Sequence, residues 1–225
     1  MLIYIDLEHP TVRDDPVLGP AHWQKRLQQK LRFEELSGRP CLLLRYELAL
    51  AGWVERLRPA AVLLSGMMTE WDRYESGWLD GILALIRGWE KPMIGFCGGH
   101  QLIAHAYGAE VGPMRALAGQ EADARPEFGA GLFKEDGFLP VRVVAGDALF
   151  AGLPAEISVR EEHYWEVKGL PAGFVRLAES ENCRIQAIRH QQRPLFGTQF
   201  HPERYDDAHP QGRQLLLNFF RLLDC

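Results

Sequence analysis

The chain has 225 residues and a mass of 25.6 kDa, and its 47% hydrophobic and 24% charged side chains exclude an intrinsically disordered protein. Its 25 basic and 30 acidic residues give a formal net charge of −5, which argues against a nucleic-acid-binding surface. No apolar run reaches the ~20 residues of a membrane helix, no basic leader opens the chain, and the four cysteines form no CxxC pair. We expect a single cytoplasmic domain over 1–225, with no nucleic acid or membrane partner.

The first half alternates short apolar runs with amphipathic segments, which predicts a mainly parallel sheet with helices on both faces. Strands are predicted at 2–7, 41–44, 60–64 and 92–96, and helices at 21–36, 47–57 and 74–89. In the first helix the apolar residues four apart are predicted to face the core: Trp23, Leu27 and Leu31. Its other side is predicted to face solvent: Lys25, Arg26, Gln29 and Lys30.

The composition changes in the second half of the chain, where Gly and Pro are frequent after about residue 110. Short runs at 139–144, 157–160, 174–177, 184–188 and 195–200 predict antiparallel strands, and a helix is expected over 212–223. The predicted fold class is therefore α/β, a flavodoxin-like doubly wound sheet with an added antiparallel region in the C-terminal half.

The segment MIGFCGGHQLI at 93–103 carries the first candidate for chemistry. A strand runs into Cys97, two glycines follow and a helix begins, which is the pattern of a nucleophile elbow. The helix N-terminus is expected to favour the Cys97 thiolate. A buried structural cysteine is one alternative, and a metal site with His100 and His105 is another, although no second pair of cysteines supports it.

The second candidate lies in the segment GTQFHPE at 197–203. A strand leads to His201, and Glu203 follows after one proline. A cysteine nucleophile needs an imidazole to take its proton, and the imidazole needs an acid to fix its tautomer. The two segments together predict a Cys–His–Glu arrangement.

These two segments, 104 residues apart from Cys97 to His201, resemble the class I (triad-type) glutamine amidotransferases. The pattern of that family is G-x-C-x-G-x-Q followed by F-H-P-E. Three further stretches are similar to family segments: LLSG at 63–66, EHYWEV at 162–167 and GRQLLLNFF at 212–220.

The resemblance implies that Cys97 is the nucleophile, His201 the general base and acid, and Glu203 the orienting carboxylate. It implies hydrolysis of L-glutamine through a thioester, with ammonia handed to an acceptor. The partner would be a synthetase in a separate chain, and no cofactor or metal is implied. The oxyanion would be held by the backbone N–H groups of Gly98 and Met67. The substrate would be held by four residues: Gln101, Glu162, Tyr164 and Trp165.

Two departures from the family pattern lead to further expectations. The family reads S-G-G-P or S-N-G-P at 65–68, whereas Met67 carries a Cβ that disfavours a left-handed backbone. We expect a misdirected Met67 N–H that a synthetase docked near 66–75 would correct. Glu162 stands where Ser or Asn is frequent, and its carboxylate would suit a substrate α-ammonium group but repel a substrate carboxylate. A γ-glutamyl hydrolase and a weakly active glutamine-binding regulatory protein therefore stay open as alternatives.

Overall fold

A nine-stranded sheet forms the centre of the computed structural model, which describes residues 1–75, 77–123 and 125–224. The strands are β1 (Leu2–Asp6), β2 (Cys41–Arg45), β3 (Ala61–Leu64), β4 (Met93–Phe96), β5 (Val111–Pro113), β6 (Glu135–Val143), β7 (Glu156–His163), β8 (Trp165–Val167), β9 (Phe174–Glu179), β10 (Ala187–His190) and β11 (Leu195–Thr198). The helices are α1 (Pro10–Arg13), α2 (Leu18–Ser37), α3 (Ala51–Arg56), α4 (Asp80–Gly88), α5 (Gly98–Ala106) and α6 (Gln211–Arg221).

The strand order is β2-β1-β3-β4-β11-β10-β9-β6-β7, and β5 pairs with β8 in a separate small sheet. The pairs from β2 to β11 are parallel, whereas β11, β10, β9, β6 and β7 pair antiparallel. This arrangement confirms the predicted parallel sheet with an antiparallel addition, in which β10 and β11 form a hairpin that turns at 191–193.

The two faces of the sheet bury different helices. Alternate side chains of β1 lie in different cores, because successive side chains of a strand point to opposite faces of the sheet. Ile3 and Ile5 pack in one core with α4 and α5, and Leu2 and Tyr4 pack in the other with α2 and α6. In the part of the chain that the structure describes, no helix has the length and apolarity to cross a membrane.

Two of the predicted helices are shorter than expected. The prediction of one helix over 47–57 is wrong, since a 3-10 turn at Tyr46–Leu48 precedes α3. The prediction of a helix over 74–89 is wrong in its first part, where a 3-10 turn at Trp71–Arg73 is followed by Gly77 with a φ of +88°. A left-handed residue ends helical continuity, so α4 begins only at Asp80.

The predicted orientation of the first helix, α2, is also wrong. Leu27 and Leu31 are about half exposed, whereas Arg26 and Gln29 are buried. Asp6 at the end of β1 is fully buried and forms ion pairs with Arg26 at 2.7 Å and with His22 at 2.8 Å. A buried carboxylate needs such partners, so α2 turns its polar stripe inward.

Candidate active site

Cys97 lies at a strained turn between β4 and α5. Its φ and ψ are 48° and −106°, an unusual conformation for a residue with a Cβ. The turn is tight, because a Cβ at Gly95 would lie only 2.4 Å from the carbonyl carbon of Gly99. The strand and the helix that flank Cys97 can approach each other this closely only with glycine at the contact, as in the predicted nucleophile elbow.

The sheet register brings His201 to the same edge as Cys97. Phe96 of β4 pairs with Thr198 of the parallel strand β11, so the residues that follow each strand emerge side by side. His201 Nδ1 lies 2.8 Å from Glu203 Oε1. A Cβ built on Gly66 would lie 2.9 Å from His201 Cε1, 3.7 Å from Nε2 and 3.4 Å from Cys97 Cβ. The imidazole and the cysteine therefore flank Gly66, with Nε2 as the nitrogen that Glu203 does not hold.

The ionisation of this pair differs from the expected thiolate. Burial, with the carboxylates of Glu161, Glu162 and Glu203, raises the pKa of Cys97 to about 12, although the N–H of Gly98 acts in the opposite direction. Burial also lowers the pKa of His201, against the influence of Glu203. These shifts favour a neutral thiol and a neutral imidazole at rest, and they oppose the thiolate that the helix N-terminus was expected to favour.

The loop after β3 carries the second expected oxyanion donor. A Cβ at Gly98 would lie 3.1 Å from the backbone nitrogen of Met67, so the two expected donors are neighbours. Among the described non-glycine residues, only Arg58 and Cys97 have a positive φ. Met67 therefore avoids the left-handed conformation, as its Cβ predicts. Glu8 fixes the continuation of the loop by accepting hydrogen bonds from the N–H groups of Met68 and Thr69.

Gln101 is held by three partners next to Cys97. Its Oε1 accepts from Trp71 Nε1 at 2.9 Å, and its Nε2 donates to the carbonyl of Trp165 at 2.9 Å and to Gln199 Oε1 at 3.1 Å. Gln199 in turn lies 3.6 Å from Cys97 Sγ through its Nε2. Gln199 was not among the predicted site residues, although it stands two positions before His201 in the quoted motif.

Glu162 does not present a free negative charge to the cavity. Its carboxylate accepts from Arg125 at 2.8 Å, contacts Arg204 and lies 3.8 Å from Lys25. Burial alone would raise the pKa of Glu162, but the charges of Arg204 and Lys25 lower this pKa to about 2. Arg160 lies 3.7 Å from the same carboxylate, so four cations compensate the charge that was expected to repel a substrate carboxylate.

A buried ionic cluster lies beside the cavity. Within the described ranges, three of its residues form the one group of side chains that could hold a metal ion, with ligand atoms within 4.8 Å of one another: Glu135, His163 and Cys183. His163 uses both ring nitrogens, Nδ1 toward the carbonyl of Trp165 at 3.0 Å and Nε2 toward Glu135 at 2.9 Å. Burial alone would lower the pKa of His163, but Glu135 and Glu161 raise this pKa to about 10. A protonated imidazole has no lone pair for a metal, so the donors are better explained as an ion-pair network.

One cavity of about 290 Å³ connects most of the predicted site residues. Its lining includes the expected nucleophile, base, oxyanion and substrate residues: Cys97, His201, Met67, Gln101, Glu162, Tyr164 and Trp165. Glu203 lies behind His201 with its side chain buried, and Gly98 begins α5. The lining also includes Arg26, which the sequence analysis had assigned to a solvated helix face.

Comparison with known proteins agrees with this geometry. The sequence model of the class-I glutamine amidotransferases matches residues 49–223. The chain belongs to this family. The glutamine-hydrolyzing GMP synthase subunit of Archaeoglobus fulgidus is 45% identical over 134 residues, which cover 59% of this chain and 62% of that protein. The corresponding GMP synthase subunit of Pyrococcus abyssi is 33% identical over 169 residues, which cover 75% of this chain and 78% of that protein.

A solved structure shares the fold along the full chain. This Thermoplasma acidophilum protein, assigned provisionally as a GMP synthase subunit, has a TM-score of 0.73 and 26% identity. The match covers 100% of this chain and 94% of that protein. The sheet and helices described above are therefore those of a glutamine amidotransferase domain. The chain spans 62% of the length of the Archaeoglobus relative.

Proposed function

We propose that this chain hydrolyses the side-chain amide of L-glutamine through a thioester on Cys97 and passes ammonia to a synthetase in a separate chain. The observation that carries the proposal is the arrangement around Gly66, where the Cys97 Cβ and the His201 ring flank one glycine and Glu203 holds His201 Nδ1. This arrangement supports the roles of nucleophile for Cys97, general base for His201 and orienting acid for Glu203.

The neutral resting pair sets the order of the proton transfers. His201 Nε2 takes the thiol proton as Cys97 Sγ attacks the amide carbon, and the carbonyl π electrons move onto oxygen. The tetrahedral intermediate collapses when His201 returns that proton to the nitrogen, which leaves as ammonia. His201 next accepts a proton from water as the water attacks the thioester, and the thiol and glutamate are released.

Two backbone donors are proposed to stabilise the negative oxygen, the N–H groups of Gly98 and Met67. They are adjacent in the structure, and within the described ranges the N–H of Met67 donates to no acceptor. Loss of one such donor lowers kcat by ~10²–10³. Both donors belong to folded backbone, so the isolated chain should hydrolyse glutamine without a partner.

The substrate would enter between Glu162, Tyr164 and Trp165 on one side and the loop that begins at Gly66 on the other. Lys25, Arg125 and Arg204 give the wall near Glu162 its positive character, which suits the α-carboxylate of glutamine. Both N–H donors of Gln101 are occupied, whereas its Oε1 accepts only from Trp71 and keeps one lone pair for a donor of the substrate.

The experiment that tests the proposal measures ammonia and glutamate released from L-glutamine by the purified chain and by Cys97→Ala. We expect equal amounts of both products from the wild type and none from the variant. The assay is repeated with γ-glutamyl-amines, because preferred turnover of these would favour a γ-glutamyl hydrolase. Product formation by Cys97→Ala would contradict the proposal. The synthetase component of GMP synthase, which the names of the relatives suggest, is the first partner to test.

A further inference from the structure

The peptide between Gly66 and Met67 is held through its carbonyl oxygen. The carbonyl of Gly66 accepts a hydrogen bond from Arg26 Nη2 at 2.6 Å and another from the Ser65 hydroxyl at 2.7 Å. In a trans peptide the N–H points away from the preceding carbonyl, and the described residues contain no cis peptide. The Met67 N–H is consequently directed away from Arg26, and its nitrogen lies on the side of Gly98.

Hydrogen bonds hold the Arg26 guanidinium group along every edge. Nε donates to Asp6 Oδ1 at 2.7 Å, and Nη1 donates to Gln29 Oε1 at 3.0 Å and to the Tyr4 hydroxyl at 3.4 Å. The residue is 4% exposed, so water does not compete for these contacts. The planar fork of an arginine thus has one orientation available, and its remaining arm reaches Gly66.

We propose that Arg26 is a positioning residue for the oxyanion hole: by holding the Gly66 carbonyl, it keeps the Met67 N–H aimed at the developing oxyanion. This inference rests on the proposed function and goes beyond the triad. A flipped peptide would leave a buried guanidinium donor without an acceptor. The flip is therefore disfavoured in the folded chain, and the hole is preformed.

The polar stripe of α2 that carries Arg26 also supports the triad. One turn further along the helix, Gln29 Nε2 donates to Glu203 Oε1 at 3.1 Å, next to the bond from His201. Arg26 also donates to Gln29, but the bonds that Glu203 accepts from Gln29 Nε2 and His201 Nδ1 involve no atom of Arg26. A variant at Arg26 should therefore impair oxyanion stabilisation while the nucleophile and base remain intact.

The test uses Arg26→Lys, which keeps a cation beside Asp6 but has one nitrogen and cannot also hold the Gly66 carbonyl. We expect kcat for glutamine hydrolysis to fall by ~10–10²-fold, which is less than the ~10²–10³-fold loss caused by complete removal of one oxyanion donor. KM should change by less than about threefold. Alkylation of Cys97 by iodoacetamide attacks a saturated carbon and develops no oxyanion. Its rate and pH profile should change by less than about twofold, because the base and the nucleophile are unaltered.

Lys30→Met is the matched control, since it removes a cation from the same helix at a residue that pairs with Glu34 at 2.8 Å and does not line the cavity. It should retain wild-type kinetics. If Arg26→Lys does not fold, as judged by thermal unfolding, the double variant Asp6→Asn/Arg26→Met removes both buried charges together and should show the same loss of kcat.

An unchanged kcat in the folded Arg26 variant would overturn the inference. A loss of alkylation rate equal to the loss of kcat would also overturn it, because the damage would then lie in the nucleophile and base. Failure of the proposed function is distinguishable: wild-type protein would then release no ammonia, or would release it without Cys97.

Discussion

The glycine between the nucleophile and the base gives the sharpest perturbation of the site. Gly66→Ala adds one methyl group at a position whose backbone is not left-handed, so alanine meets no conformational barrier there. The new carbon would lie 2.9 Å from His201 Cε1, whereas ordinary contacts begin at 3.4 Å. The imidazole must therefore move by about 0.5 Å, while Cys97 Cβ at 3.4 Å can stay in place.

The magnitude follows from this displacement. A misplacement of about 1 Å lowers catalysis by ~10²-fold, so a shift of half that size should lower kcat about tenfold or more. The assay is ammonia release at saturating glutamine, with thermal unfolding measured on the same sample. Gly52→Ala in α3 is the matched control, because a Cβ there meets no heavy atom within 4 Å. It should keep full activity and gain about 0.5–1 kcal/mol of helix stability.

Wild-type kcat in Gly66→Ala would refute the reasoning, since the imidazole would then tolerate a methyl group in the space between it and Cys97. A loss of kcat accompanied by global unfolding would refute it as well, because the strain would not be confined to the site.

Three further predictions concern the charged groups of the site. Cys97→Ala and His201→Ala should each abolish ammonia release, whereas Glu203→Ala should leave more residual kcat because it only orients the base; equal losses in folded variants would contradict this. Since the pKa of His201 is lowered from its ordinary 6.5, kcat/KM should stay level as the pH falls to about 6.5 and decline only below it; a decline beginning above pH 7 would contradict this. The pKa of His163 is raised from 6.5 to about 10, so its stabilising contribution is complete below about pH 6.5 and is lost as the pH rises through 10. The free energy of unfolding, measured with urea as a function of pH, should show this decline in the wild type and depend less on pH in His163→Gln. Parallel pH profiles of the two proteins would contradict the prediction.

The placement of Cys97 and His201 at one edge of the sheet could be predicted from sequence, because each residue lies in a short local motif. The strand before Cys97 and the strand before His201 are adjacent and parallel, so their carboxyl ends converge without any long-range information beyond strand order. The same holds for the hairpin at 191–193, where a turn of three residues fixes the pairing of its two strands.

The orientation of α2 could not be predicted in this way, because two helical faces compete. Trp23, Leu27 and Leu31 lie on one face, whereas His22 and Arg26 lie on the other, one residue earlier in the chain. Apolarity favoured the first face. The second is buried because Asp6 lies at the end of β1 and needs partners, a fact that only the assembled sheet reveals.

The ionisation of the site and the oxyanion loop depend on contacts far apart in sequence. The pKa of Cys97 is set by burial and by carboxylates from β7 and the loop after β11, and these outweigh the helix N-terminus that the local motif suggested. The peptide after Gly66 is oriented by Arg26, 40 residues earlier. A pattern read along the chain contains neither contact.

The most direct test of the central claim is peptide mapping after incubation with an electrophilic diazoketone analogue of L-glutamine. The account predicts one adduct per chain, on Cys97, with ammonia release lost in proportion. Cys41 and Cys183 are buried outside the cavity and should remain unmodified, as should Cys225, which lies outside the described residues. An adduct that persists in Cys97→Ala, or full labelling of Cys97 without loss of glutaminase activity, would contradict the assignment of Cys97 as the nucleophile.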